Sequence, residues 1–185
     1  MWEAEEYERI VYLDADMVVL RNIDHLFDIC CSDSKNGEFY AVGDCYGGRL
    51  EAKERDACCF FDSNTTKPEY FNAGFCVLTP NKGEYQRMLA ALPTWPERET
   101  SRFSEQDFLN YYYKDTWKHL PYTYNAQKRI KVHHPNLWDL QQIHVVHYVD
   151  EKPWSHRWAV ENIEYREEVE LWWDIYADTN QKLDV

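Results

Sequence analysis

The feature that most constrains this chain is the run Ile10-Val11-Tyr12-Leu13 closed by Asp14-Ala15-Asp16. Four consecutive apolar residues, β-branched and aromatic in type, fit a buried parallel strand of an α/β sheet. In an extended backbone, residues two apart point the same way, so both carboxylates can share one hard cation. An Asp-x-Asp pattern alone is common by chance in an acidic chain. Its position at the end of a buried strand is informative, because uncompensated carboxylates there are costly and call for a cation or a basic partner. Two solvated loop carboxylates are the alternative reading.

The chain has 185 residues, 44% of them hydrophobic, with 20 Lys and Arg against 33 Asp and Glu for a formal charge of -13. This fits one globular domain and excludes a disordered tail. The acidic balance argues against nucleic acid or an anionic membrane as partner, so a phosphate ligand would need a metal. No apolar run approaches membrane-spanning length, and Met1-Trp2-Glu3-Ala4 is no signal core. The expectation is a soluble, cytoplasmic protein. Cysteines at 30, 31, 45, 58, 59 and 76 form no C-x-x-C and read as reduced thiols. Asn64-Thr65-Thr66 is a glycosylation sequon of the kind that arises by chance.

Residues 2 to 9 read as a short charged helix, and Met17 to Leu20 as a second apolar strand before a turn at Arg21 to Asp24. Phe39 to Val42 and Phe75 to Leu78 are further strands, with a polar excursion from Cys45 to Tyr70 between them. Glu84 to Leu92 carries Tyr85, Met88, Leu89 and Leu92 on one helical face, and Pro93 ends it. Thr94 to Arg102 is a linker, after which Ser104 is placed to cap a helix through Tyr113. Ile143 to Val149 is the last strong strand, followed by a helix from Glu161 to Ala177 with Tyr165, Val169, Trp172, Trp173 and Tyr176 at helical spacing. Strands alternating with helices give an α/β class, in which ligands lie beyond the carboxyl ends of strands.

His147 closes the late strand at that kind of location, and Lys152-Pro153-Trp154 follows. An imidazole beside two carboxylates moves the metal preference from magnesium toward manganese. Read singly, His147 is as well a hydrogen-bonded core residue and Lys152 a solvated lysine. Together, Asp14, Asp16, His147 and Lys152 make a site for a metal-bound diphosphate, with the lysine adding a point charge.

The ordered motifs resemble those of the family-eight retaining glycosyltransferases. They are Val11-Tyr12-Leu13-Asp14-Ala15-Asp16, Asn22-Ile23-Asp24-His25-Leu26-Phe27, Tyr70-Phe71-Asn72-Ala73-Gly74, Ser104 to Asn110, and Val145-Val146-His147-Tyr148 with Lys152-Pro153-Trp154. Glu105 to Asn110, Tyr124-Asn125 and Trp172 to Tyr176 look closest to galactinol synthases, while glycogenins share the core motifs. The resemblance implies a single Rossmann-like nucleotide-sugar-binding domain of the glycosyltransferase A type, a mixed sheet flanked by helices. It implies transfer of galactose or glucose from a UDP-sugar to a small polyol or carbohydrate acceptor, with manganese, or magnesium in its place. Asp14, Asp16 and His147 would hold the metal and Lys152 the diphosphate; Asp44, Asn72, Glu105 and Gln106 would hold the donor sugar, the last two at the catalytic position. Asn72 also reads as a turn residue, and Glu105 and Asp107 as residues favouring a helix N-terminus. That structural reading is preferred for Asp107, and the site reading for Glu105 and Gln106.

Two departures from the family stand out. In relatives several strands and helices precede the metal strand and form most of the uridine pocket, whereas this chain starts in the helix just before it. The expectation is one domain over residues 1–185, truncated at its amino terminus and lacking those strands. Second, Val149-Asp150-Glu151 stands where relatives place a glycine between the histidine and the lysine. Two acidic side chains there would repel a diphosphate unless they turn outward. The alternatives to a galactinol-synthase-like transferase are an inactive relative that keeps metal and diphosphate binding, or a glycogenin-like enzyme that glycosylates itself. The aromatic positions of the last helix could serve a homodimer as readily as the core.

Overall fold

The computed structural model describes residues 1–29, 38–45, 70–155 and 163–183. Cys30, Cys31, Cys58, Cys59, the 64–66 sequon and nearly all of the Cys45 to Tyr70 excursion lie outside these residues. Cys45 and Cys76 are buried.

Among the described residues, seven strands form two sheets. The first, in the order β1-β4-β3-β5, contains β1 (Ile10–Leu13), β4 (Phe71–Leu78), β3 (Phe39–Gly43) and β5 (Lys118–His119). The second, in the order β2-β7-β6, contains β2 (Met17–Val19), β7 (Val145–His147) and β6 (Ala126–Gln127). Strand β4 runs antiparallel to both β1 and β3, and β3 is parallel to β5. In the second sheet β7 is antiparallel to β2 and parallel to β6. The helices are α1 (Lys82–Ala91), α2 (Glu105–Tyr113), α3 (Arg129–His133) and α4 (Arg166–Lys182). The mixed α/β architecture expected from the sequence is therefore present.

Alternation along β3 and β4 divides the core. Phe39, Ala41, Phe71, Cys76 and Leu78 face α1 and α2, packing with Met88, Phe108, Leu109 and Tyr113. Tyr40, Val42, Phe75 and Val77 face the second sheet and meet Leu120, Ile130 and Val145. Asn110 docks α2 onto β4, accepting from the Phe71 amide at 2.7 Å and donating to the Phe71 carbonyl at 2.9 Å.

Several local expectations are corrected. Residues 2 to 9 form turns, with Ala4 and Tyr7 amides bonded three residues back. Glu3 and Glu6, and Glu5 and Glu8, would stack like charges at helical spacing. The segment is held instead by Trp2, whose indole N–H donates to the Tyr113 hydroxyl at 3.0 Å. Strand β1 is half-buried and antiparallel, with β4 as its one neighbour among the described residues. Ser104 sits at the start of α2 with φ of 43° and makes no capping bond. Asp107 instead ties down the segment that leads into the helix, accepting from the Arg102 and Phe103 amides at 3.1 and 3.0 Å and from the Ser101 hydroxyl at 2.7 Å. Helix α1 starts earlier than expected because Asn81 caps it, accepting from the Glu84 amide at 2.8 Å. The last strand shrinks to Val145–His147, and the last helix begins at Arg166, leaving Tyr176 exposed.

Candidate metal and diphosphate site

The chain passes from one sheet to the other through Asp14-Ala15-Asp16. The pair lies in a tight turn, not in extended backbone, and the Met17 amide closes it on the Asp14 carbonyl at 3.2 Å. On one side the Asp14 amide donates to the Gly74 carbonyl of β4 at 2.8 Å; on the other the Tyr148 amide donates to the Asp16 carbonyl at 2.9 Å. Two ladders thus grip the turn and aim both carboxylates at the His147 end of β7. One ligand atom from each of Asp14, Asp16 and His147 falls within 4.8 Å of the others.

The imidazole is oriented by a chain of buried amides. The Asn72 side-chain oxygen accepts from the Gly74 amide at 3.1 Å and from the Asn125 side-chain amide at 2.9 Å. Asn125 is thereby turned so that its oxygen faces His147 Nδ1 at 2.8 Å. An acceptor at that distance keeps a proton on Nδ1 and leaves Nε2, 3.2 Å from Asp16 Oδ1, as the ring nitrogen that faces the carboxylates. Burial alone would raise the Asp16 carboxyl, but hydrogen bonds from His147 and Lys152 outweigh it and hold the group well below the usual carboxylate range. Two carboxylates and an imidazole held in one orientation form a set that could hold a divalent metal ion. Tyr12 donates to Asp14 Oδ1 at 2.8 Å, and this bond, with burial, pushes its hydroxyl up to about 12.

Gly74 is required by close approach. A β-carbon there would lie 2.6 Å from Asp14 Oδ2 and 2.7 Å from His147 Cε1. Lys152 pairs with Asp16 Oδ2 and donates to the Tyr148 carbonyl at 2.9 Å, so its ammonium stands at the cluster. Asp150 adopts φ of 62°, in the left-handed region glycine favours. Its side chain is 62% exposed and faces Arg129, and Glu151 is exposed too. Both acidic side chains turn outward, which removes the expected repulsion.

The remaining sequence-derived residues gather around the same segment of β4. Asn72 lies inside the strand, so the turn reading fails. Gln106 Oε1 accepts from the Ala73 amide at 3.0 Å, while Nε2 donates to Asp44 Oδ2 and to the Tyr70 hydroxyl, each at 3.2 Å. Asp44 is buried at 3% exposure, and among the described residues its Oδ1 has no hydrogen-bond partner. Glu105 is exposed at the start of α2 and lines a cavity of about 600 Å³ shared with Tyr12, Asp14, Gly74 and Gln106. Asp107 has its oxygens occupied by Ser101, two backbone amides and the Tyr70 hydroxyl, in keeping with the structural role expected of it.

Sequence reasoning gave no role to Asn125, Tyr12 or Tyr70. Tyr12 was reachable, because it lies two before Asp14 on the same strand face. Asn125 was not, because its bond to His147 spans 22 residues of irregular chain.

An acidic pair where two sheets meet, facing a histidine on the neighbouring strand, places the domain in the glycosyltransferase A class. Solved structures share this fold. The glycosyltransferase GlyE of Streptococcus pneumoniae TIGR4 matches with a TM-score of 0.61 at 20% identity, over 91% of this chain and 39% of its own. The galactosyltransferase LgtC, solved with donor and acceptor sugar analogs, matches at 0.59 and 20% identity, over 89% and 61%. The chain belongs to glycosyl transferase family 8, whose sequence model matches residues 1–159. Galactinol synthase 2 of Arabidopsis thaliana is 38% identical over 197 residues, covering 96% of this chain and 56% of the relative. Galactinol synthase 1 of Solanum lycopersicum is also 38% identical, over 186 residues, covering 97% and 56%. The chain spans about half the length of the curated relatives it matches. Among the described residues no helix is long and apolar enough to cross a membrane.

Proposed function

We propose that this chain carries the metal and diphosphate centre of a galactinol-synthase-like retaining transferase, which moves galactose or glucose from a UDP-sugar to a hydroxyl of a small polyol or carbohydrate. The observation that carries this reading is the convergence of Asp14, Asp16 and His147 with the imidazole tautomer fixed by Asn125. Asp14, Asp16 and His147 would hold manganese, or magnesium, which when bound supplies positive charge for the departing diphosphate. Lys152 adds a second positive charge beside Asp16. Asp44 Oδ1, buried and without a partner, is placed to accept from a hydroxyl of the donor sugar.

Gln106 holds Asp44 Oδ2 while its oxygen stays on the Ala73 amide, so it fixes the floor against which the sugar would rest. Glu105 contributes an exposed carboxylate to the adjoining cavity, suited to stabilise positive charge developing at the anomeric carbon. Same-face attack by the acceptor hydroxyl would form the new glycosidic bond as the bond to the diphosphate breaks, with the hydroxyl proton passing to the departing phosphate oxygen on that face, so the site has chiefly to position the two reactants.

Incubating the chain with manganese, a cyclitol and either UDP-galactose or UDP-glucose, and analysing products by mass spectrometry, tests the reading. A glycosylated cyclitol formed by the native chain and not by Asp16→Asn is the expected result. Failure to release UDP or form product from either donor would overturn it.

A further inference from the structure

The turn that carries Lys152 has a bond of its own, from the Lys152 ammonium to the Tyr148 carbonyl, and leans besides on residues from another element. Residues 148–152 leave β7, pass through the positive φ of Asp150, and return Lys152 to the cluster. In this turn and its surroundings, Lys128 and Arg129 supply the bracing. The Lys128 amide donates to the His147 carbonyl at 3.1 Å, at the foot of the turn, and its ammonium donates to the Glu151 carbonyl at 2.5 Å, next to Lys152. Lys128 is only 5% exposed, and its ammonium also lies 4.9 Å from the centre of the Tyr165 ring. Among the described residues no carboxylate forms an ion pair with it. Arg129, equally buried, faces Asp150 with 4.0 Å between charged atoms.

A buried ammonium whose hydrogen-bond partner is a backbone carbonyl is an expensive group to retain for stability alone. Burial pulls its affinity for the proton down, the nearby Asp150 and Glu151 carboxylates oppose this, and Lys152 and Arg129 act in the same direction as burial. Its placement has a use, because it fixes the residue before Lys152 and adds positive potential on the side from which a diphosphate would be held.

We propose that Lys128 is a positioning residue for diphosphate recognition: it braces the 148–152 turn from beneath, so that Lys152 is presented to the second phosphate of a nucleoside diphosphate at the Asp14, Asp16 and His147 centre. The inference rests on the diphosphate reading of that centre. It concerns how this chain, with aspartate at a position suited to glycine, keeps the turn in one shape.

The test compares the native chain with Lys128→Met, which keeps the length of the side chain and removes its charge and hydrogen bond. Amide hydrogen exchange of residues 149–152 should quicken at least tenfold in the variant, while that of β7 is unchanged. Calorimetric titration with manganese present should show UDP affinity falling about tenfold and UMP affinity falling less than twofold. Binding of manganese alone should not change. Lys128→Arg, which restores a donor to the Glu151 carbonyl, should recover the native exchange rates and the native preference for UDP. It also replaces the methionine variant if that one fails to fold: exchange at 149–152 no slower than in an unbraced exposed turn would then contradict the bracing. Unchanged exchange in Lys128→Met, or equal loss of UDP and UMP affinity, overturns the proposal. Absence of UDP binding by the native chain would count against the diphosphate reading itself, and the exchange experiment would still decide whether Lys128 braces the turn.

Discussion

Two turns flank the metal cluster, and they are held by different means. The Asp14-Ala15-Asp16 turn is gripped by main-chain bonds to Gly74 and Tyr148, on ladders that belong to two sheets. The turn from Tyr148 to Lys152 is held largely by side chains: Lys128 on the Glu151 carbonyl, Arg129 toward Asp150, and Lys152 on the Tyr148 carbonyl. The second depends on residues distant in sequence, and can accept aspartate at φ of 62° because they brace it.

The largest effect is expected at the carboxylates of the first turn. Asp14→Asn or Asp16→Asn should abolish manganese-dependent UDP binding in calorimetry, whereas native affinity would remove the metal reading. Gly74→Ala leaves both aspartates in place but drives a β-carbon against Asp14 and His147. Manganese affinity should fall on the order of 100-fold, the scale on which loss of orienting groups acts. If it binds manganese like the native chain, the close packing at β4 is not what shapes the cluster.

A smaller loss is expected from Asn125→Leu, which frees His147 Nδ1 from its acceptor. Metal affinity should fall by about 10-fold to 100-fold, since the ring then loses its enforced tautomer. Thermal stability should fall as well, because Asn72 would lose a buried donor. The smallest change is Asp150→Gly in the second turn. Relief of the left-handed backbone, set against the greater chain entropy of glycine, should stabilise the fold by at most about 1 kcal/mol. Denaturant unfolding checks this, and a loss of stability would mean that the Arg129 contact matters more than the backbone strain.

The same contrast explains what was legible in the sequence. The strands Ile10–Leu13 and Phe39–Gly43 announce themselves by continuous apolar side chains, and both helices that pack on β4 show helical spacing. Asp14, Asp16 and His147 were readable because each ends or follows such a strand. The pairing direction of β1 was not, since an apolar run is compatible with either. Helix α3 and the short strands β5 and β6 went unread because two to five residues carry no periodicity. Ser104 showed a capping signature, but its side chain makes no capping bond, and Asp107 instead reaches back to the Arg102 and Phe103 amides that precede the helix. The tautomer of His147 depends on Asn72 and Asn125, which are 53 residues apart and meet only in the fold.

The central claim is that Asp14, Asp16 and His147 form a divalent-metal centre that receives a nucleoside diphosphate. Calorimetric titration of UDP into this chain, with manganese and again with chelator, tests it most directly. The account predicts binding that requires manganese, disappears with chelator and is absent in Asp16→Asn. Binding that persists in chelator, or that Asp16→Asn retains, would contradict it.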